Sequence, residues 1–133
     1  MPNVYQGTGN LGDNPTLKHV TVKGEDRKVA SFRVFFDEYK PDQVSGEIKQ
    51  SGGFWLSVDA WGRLADQVAE HLRKGCRVNV TGHIVQDEWE DKDSGEERSA
   101  HRLVADGIFL SLSRIESVKF RPPKGDYREE AAA

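Results

Sequence analysis

The stretch GRLADQVAEHLRKG, residues 62–75, carries the most regular apolar pattern in this sequence of 133 residues. Apolar side chains recur at i, i+4 and i+8 on one helical face, at Leu64, Val68 and Leu72, and Ala65 and Ala69 lie beside them. Arg73 and Lys74 stand in the last predicted turn, and Gly75 stands where a left-handed residue ends many helices. The pattern predicts one short amphipathic helix.

The segments on either side of this helix alternate as β-strands do. Three of them precede the helix and two follow it: LKHVTV (17–22), VASFRVFFDEY (29–39), FWLSVDAW (54–61), CRVNVTGHIVQDEW (76–89) and RSAHRLVADGIFLSLS (98–113). A mainly β chain with one short helix between strands 3 and 4 is typical of the oligonucleotide-binding (OB) fold, a five-stranded Greek-key barrel. We therefore predict that fold.

We assign residues 1–120 to a single OB-fold domain and residues 121–133 to a flexible tail. The tail sequence RPPKGDYREEAAA is rich in proline, glycine and charge, which disfavours a packed structure. Its closing AAA is typical of a scar left by an expression vector.

Three glycines near the start have the G-x-G-x-x-G spacing of a dinucleotide-binding loop: Gly7, Gly9 and Gly12. That loop requires a buried strand before it and a helix after it. Only six residues precede Gly7, and Pro15 is followed by β-forming residues without a helical apolar period. We interpret the glycines as a strand end and turn, and we predict no cofactor.

The composition of the chain bears on its charge, its disulfide bonds and its cellular compartment. The net charge of -3 and the pI near 5.8 show no overall basic footprint, although a local groove can be positive on an acidic protein. The single cysteine, Cys76, excludes an intramolecular disulfide and fits a reducing compartment. With no apolar run of membrane-spanning length and no signal peptide, we expect a cytoplasmic protein without membrane contact.

No catalytic or metal site is predicted. The four histidines are scattered without metal-ligand spacing. The acidic residues around Asp87 and Glu90 fall in an exposed hairpin, where carboxylates lack the pKa separation that acid–base catalysis needs. Cys76 faces the predicted core and is a packing residue rather than a nucleophile. We therefore predict a protein that is not an enzyme.

The polar strand faces carry large aromatic residues. Strand parity directs Phe54, Leu56, Val58 and Ala60 to the core and leaves the opposite, wet face to Trp55, Ser57, Asp59 and Trp61. Trp89 follows the outward parity of its strand if no bulge intervenes, and Tyr39 ends another strand. Exposed aromatics interleaved with cations form a platform on which unpaired bases stack. For Trp61, a role in capping the barrel or filling an interface is an equally good interpretation.

The cations that we expect to follow the phosphate backbone lie on or beside these faces: Lys18, Arg33, Lys40, Lys49, Arg63, Arg73, Lys74 and Arg77.

Several segments resemble the bacterial single-stranded-DNA-binding protein family in order and spacing: GNLGDNP (9–15), VASFRV (29–34), FWLSVDAWGRLA (54–65), HLRKGCRVNVTGHI (71–84) and DEWEDKDSGEE (87–97). The resemblance covers residues 4 to about 115. It implies an OB fold, usually in a homotetramer, that wraps single-stranded DNA on aromatic side chains. Carried over by position, the family's stacking residues fall at Tyr39, Trp55, Trp61 and Trp89.

Three departures from the family pattern affect the expectations. Asp87 and Glu88 stand where basic residues often precede the hairpin tryptophan, which weakens the expected phosphate contact near Trp89. Leu56 replaces a polar residue in a region that contributes to tetramer assembly. The family's acidic, apolar tail tip, which recruits replication and repair proteins, has no counterpart in REEAAA.

We predict a protein that coats single-stranded DNA without strong sequence preference during replication, recombination or repair. One alternative is an OB-fold protein-interaction module of a replication or conjugation complex, which the acidic hairpin favours slightly. Another is a small nuclease on the same barrel, which would need convergent carboxylates and a metal.

Overall fold

A computed structural model describes residues 3–124. The elements in chain order are β1 (Tyr5–Leu11), β2 (Thr16–Val22), β3 (Glu25–Pro41), β4 (Ile48–Trp61), α1 (Arg63–His71), β5 (Arg77–Glu90) and β6 (Glu97–Leu110), followed by a 3₁₀ turn at Leu112–Arg114. The mainly β class and the single short helix are confirmed. The number of strands is one more than predicted, because Tyr5–Leu11 forms a strand of its own.

The strands form a closed sheet. Their order is β1-β5-β6-β4-β3-β2, and β1 also pairs with β3, which closes the barrel. All pairings are antiparallel except the one between β4 and β6. The helix follows β4 and leads into β5, so it occupies the predicted place between the strand FWLSVDAW and the strand CRVNVTGHIVQDEW.

The barrel core consists of alanine, valine, leucine and phenylalanine side chains. Alternation predicted its β3 contribution correctly, since Ala30, Phe32, Val34 and Phe36 are all buried. On β4 the prediction is right for Val58 and Ala60 but wrong for Phe54, which is 41% exposed. The ring of Phe54 lies beside those of Tyr5 and Phe36, and the remainder of its side chain faces solvent.

The helix ends earlier than its apolar pattern indicates. Leu72 already has an extended backbone, although its side chain is buried and its N–H donates to the carbonyl of Val68. Gly75 has a left-handed φ of 92°, but it belongs to the turn into β5, where its N–H donates to the Leu11 carbonyl. Arg73 and Lys74 therefore lie in the connection after the helix and not in its last turn.

The glycines of the first strand allow the neighbouring strand to approach closely. Gly7 and Gly9 lie inside β1, so the interpretation as a strand end and turn fits only Gly12, which follows Leu11. At Gly9, a Cβ would overlap the backbone carbonyl of Phe35 on the neighbouring strand.

The predicted tail boundary falls at the end of the described chain. Residues 121–124 are exposed and have no regular structure, whereas residues 125–133 lie outside the described residues. Among the residues that the structure describes, no helix is long and apolar enough to cross a membrane.

Candidate nucleic-acid interface

Trp55 and Trp89 both lie on the outward surface of the sheet formed by β5, β6, β4 and β3. Trp89 pairs with Arg98 across β5 and β6, and Arg102 pairs with Ser57 across β6 and β4. Residues that pair directly, or that lie an even number of positions apart on one strand, share a face. The outward surface therefore runs from Trp89 to Trp55.

The bulge between β5 and β6 does not change this parity. Thr81 pairs with Gly107 and Gly82 pairs with Ala105, so the extra residue is Asp106 on β6. The alternation of β5 therefore continues unbroken to Trp89, which is 50% exposed.

Trp55 lies at the centre of an aromatic and cationic cluster. Its ring centroid is 5.2 Å from that of Phe35, its directly paired neighbour on β3, and 5.2 Å from the guanidinium carbon of Arg33. Even so, 52% of the Trp55 residue surface is exposed. This leaves a large area of indole available to a stacking partner.

The turn after β1 supports this cluster. The Asp13 carboxylate accepts a hydrogen bond from the Arg33 backbone N–H at 2.9 Å and one from Arg33 Nε at 3.2 Å. A Cβ on Gly12 would overlap the ring edge of Trp55. The glycine therefore lets the indole lie directly against the turn.

Trp61 is half-buried at the end of β4, immediately before the helix. The Arg27 guanidinium carbon lies 5.4 Å from its ring centroid. The residue thus combines a partly covered ring with a cation, and both interpretations made from the sequence remain compatible with this position.

Trp89 lines an open groove of about 560 Å³ at the β5–β6 hairpin. Three carboxylates line the same groove: Glu88, Glu90 and Glu97. The groove's cation, Arg98, is paired with Asp91 at 3.3 Å and lies 3.9 Å from Glu96. The surroundings of Trp89 are therefore acidic, as the sequence around it indicates.

An ion-pair cluster lies between the two exposed tryptophans. Arg102 donates to Asp59, which is only 8% exposed, and to Asp87, and Ser31 Oγ donates to Asp59 at 2.8 Å. The hydrogen bonds from Arg102 hold the pKa of Asp87 below its usual value. This corrects the prediction that Asp59 lies on a wet face, because Arg102 covers it.

Four of the predicted DNA-contacting cations already have partners in the protein. Arg33 pairs with Asp13, and Lys49 pairs with Asp42 at 3.2 Å. Arg73 donates to the backbone carbonyl oxygens of Leu72, at 2.7 Å, and of Ala69.

Arg77 is the most enclosed of these four. Its guanidinium donates to both carboxylate oxygens of Asp37, at 3.1 and 3.2 Å, and to Asn10. Burial opposes the ionisation of Asp37, but hydrogen bonds from Arg77, Tyr39 and the backbone together with the charge of Arg77 outweigh it, so the pKa of Asp37 is lowered. The geometry indicates that Arg77 joins β5 to β3 rather than reaching toward solvent.

The other four cations are exposed and have no ion pair among residues 3–124: Lys18, Lys40, Arg63 and Lys74. The backbone N–H of Lys74 donates to Asn14 at 2.8 Å, which places this lysine beside the turn that supports Trp55. Tyr39 is 53% exposed near the end of β3, next to Lys40.

Sequence reasoning did not list Phe35, Arg27, Arg98 and Arg102 as site residues. Alternation already put Phe35 on the face of Arg33, which was the available signal for it. The roles of the arginines depend on strand register, which the sequence pattern does not specify. Within the described part of the chain, no group of three His, Cys, Asp or Glu side chains is arranged to hold a metal ion.

Comparison with known proteins agrees with this arrangement. The model of the single-strand binding protein family matches residues 3–112, which include every strand and the helix. The chain belongs to the single-strand binding protein family. The family resemblance inferred from the sequence motifs is thereby confirmed.

Two curated members of the family are similar in sequence. A single-stranded DNA-binding protein of Corynebacterium glutamicum is 32% identical over 117 residues, 88% of this chain and 50% of that protein. Single-stranded DNA-binding protein 2 of Streptomyces coelicolor is 36% identical over 104 residues, 78% of this chain and 50% of that protein. The chain thus spans about half the length of these relatives.

Solved structures of family members share the fold. The Plasmodium falciparum SSB in complex with ssDNA superposes with a TM-score of 0.66 at 22% identity, over 84% of this chain and 96% of that one. The small single-stranded DNA-binding protein from Streptomyces coelicolor superposes with a TM-score of 0.69 at 18% identity, over 86% of this chain and 98% of that one. This likeness confirms the OB fold.

Proposed function

We propose that this protein binds and coats single-stranded DNA without strong sequence preference. The observation that carries the proposal is the exposure of Trp55 and Trp89 on one sheet surface of a chain that belongs to the single-strand binding family. Any base can stack on an indole, and each stacked base contributes ~1–3 kcal/mol. Trp61 and Tyr39 extend the stacking surface.

In this mechanism, phosphate contacts contribute less to the binding free energy than base stacking does. The exposed cations without an ion pair supply them: Lys18, Lys40, Arg63 and Lys74. Arg33, Lys49, Arg73 and Arg77 each have a partner in the protein and contribute less. Because only four of the eight predicted contact cations lack a protein partner among residues 3–124, the logarithm of the binding constant falls with only a shallow slope against the logarithm of salt concentration.

The protein acts without catalysis, as a homo-oligomer in the bacterial cytoplasm, during replication, recombination or repair. Assembly is supported by apolar side chains that remain exposed at the end of β6 and beyond, among them Phe109 and Leu112, which are 60% and 82% exposed. Single surface hydrophobes are common, but a group of them on one segment indicates a contact surface. A tetramer is the assembly that we favour.

Titration of the intrinsic tryptophan fluorescence with oligo-dT, at low and at moderate salt, tests the proposal. We expect deep, saturable quenching, because bases that stack on Trp55 and Trp89 quench their emission. A duplex of the same length serves as the control and should quench much less. Absence of quenching from folded protein at low salt would overturn DNA coating and favour a protein-interaction module.

A further inference from the structure

Asp13 holds Arg33 at two points, one on the backbone and one on the side chain. One carboxylate oxygen accepts from the Arg33 backbone N–H at 2.9 Å, and the other accepts from Nε at 3.2 Å. The guanidinium is therefore held in one direction, over the indole of Trp55 at 5.2 Å from the ring centroid. Because its Nε is occupied by Asp13, Arg33 is less free to turn its guanidinium toward a phosphate than an unpaired arginine would be.

The Trp55 ring is contacted from three directions. Arg33 covers it with the guanidinium, Phe35 meets it at an interplanar angle of 59°, and Gly12 touches its edge. Nevertheless, 52% of the residue surface is exposed. The ring is thus confined before any ligand arrives, and a base that stacks on it does not have to immobilise it.

We propose that Asp13 and Arg33 are positioning residues that hold the Trp55 indole ready for a base. This inference rests on the proposed function, and it changes the role of Arg33 from phosphate ligand to support for a stacking ring. It also assigns Asp13, an anion beside the DNA-binding surface, a role that favours DNA binding.

The two roles of Asp13 predict effects of opposite sign. If the carboxylate only repels phosphate and neutralises Arg33, Asp13→Asn raises DNA affinity and steepens the salt dependence. If it positions Trp55, Asp13→Asn lowers affinity at an unchanged slope, because the cation over the ring is no longer held. We expect a loss of about two- to fivefold, the range that corresponds to one exposed cation–π contact.

The test uses Asp13→Asn in the 133-residue chain, with Asp66→Asn as the matched control. Asp66 is also a half-exposed aspartate paired with a cation, Lys28, at 3.2 Å, but it lies on the helix. Oligo-dT affinity is measured at several salt concentrations. The control should bind as tightly as the wild type or slightly more tightly, since it loses a negative charge and leaves Trp55 untouched.

A second readout does not involve DNA. In a background with Trp61→Phe and Trp89→Phe, Trp55 is the sole tryptophan, and its time-resolved anisotropy reports motion of the ring. We expect faster ring motion after Asp13→Asn and also after Arg33→Lys, which keeps the charge but loses the planar guanidinium. A phosphate ligand would tolerate the lysine.

The outcomes separate the two proposals. If wild-type protein did not bind oligo-dT, the proposed function would fail and this inference with it. If wild type bound and Asp13→Asn bound equally or more tightly, or if the ring motion was unchanged, the positioning role alone would be overturned.

Discussion

The indole of Trp55 lies directly against Gly12, and no side chain larger than hydrogen fits at residue 12 without meeting the ring. The last glycine of a G-x-G-x-x-G spacing therefore serves an aromatic surface and not a phosphate loop. Gly9 serves the packing of β1 on β3 in the same way. A motif that indicates a nucleotide enzyme in a βαβ context has a packing role in this barrel.

Trp55→Ala should weaken oligo-dT binding far more than Lys49→Ala does. The tryptophan offers an exposed ring worth ~1–3 kcal/mol per stacked base, which corresponds to a loss of about five- to 150-fold. Lys49 is paired with Asp42 and contributes little at moderate salt. Fluorescence anisotropy of labelled oligo-dT measures the affinities of both variants. Trp55→Phe should bind more tightly than Trp55→Ala, because it keeps an aromatic ring. Equal losses from the two alanine variants would indicate a mainly electrostatic groove.

Neutralising the acidic groove should improve DNA binding. Glu88 and Glu90 line the groove of Trp89, where their charges oppose the approach of phosphate. We expect Glu88→Gln and Glu90→Gln each to raise affinity about twofold at low salt and to lose this effect at high salt, where charges are screened. Glu25→Gln, at the far β2–β3 turn, is the control. A similar gain from the control would mean that net charge alone matters.

Lowering the pH should destabilise the barrel, partly because the Asp37 carboxylate becomes protonated. Its pKa is below the ordinary 3.8 in the folded protein. Its stabilising effect is therefore complete above roughly pH 5 and is lost as pH falls through 3.8 toward the folded value. Asp37→Asn should lower the free energy of unfolding at pH 7 and reduce its decline toward pH 3, as measured by urea denaturation.

Asp42, whose side chain is 28% exposed against 7% for Asp37, supplies the control for this profile. Its pKa is also lowered, by backbone N–H groups of Val44 and Ser45 and by Lys49, but solvent screens it. Asp42→Asn should change the acid profile less than Asp37→Asn does. An identical acid profile for wild type and Asp37→Asn would contradict the importance of the Arg77 pair.

Removal of the Asp59 carboxylate should destabilise the fold more than removal of Asp87. Asp59 is 8% exposed and binds Arg102 and Ser31, so Asp59→Ala leaves enclosed donors without an acceptor. We expect a loss of about 1–3 kcal/mol in the free energy of unfolding. Asp87→Ala, at a more exposed carboxylate, should cost less than about 1 kcal/mol. Urea denaturation measures the free energy of unfolding of both variants. A larger loss for Asp87→Ala than for Asp59→Ala would mean that Asp87 is the more important carboxylate for stability.

Local sequence patterns were sufficient for much of this architecture. The apolar stripe of residues 62–75 located the helix, and the alternation along β3 identified its core side chains. The same alternation placed Trp55 and Trp89 outward, and both are half-exposed. Such patterns are readable because side-chain direction repeats every two residues in a strand and every 3.6 in a helix.

The sequence by itself thus determined which side chains face outward, whereas the tertiary structure decided which of them remain free. Arg77 and Asp37 are 40 positions apart, and Arg33 and Asp13 are 20 apart. These pairs form because barrel closure sets the register between distant strands and turns. Alternation is a local property of the backbone. An ion pair between distant residues depends on how two segments of the chain pack together, and a local sequence pattern does not specify that packing.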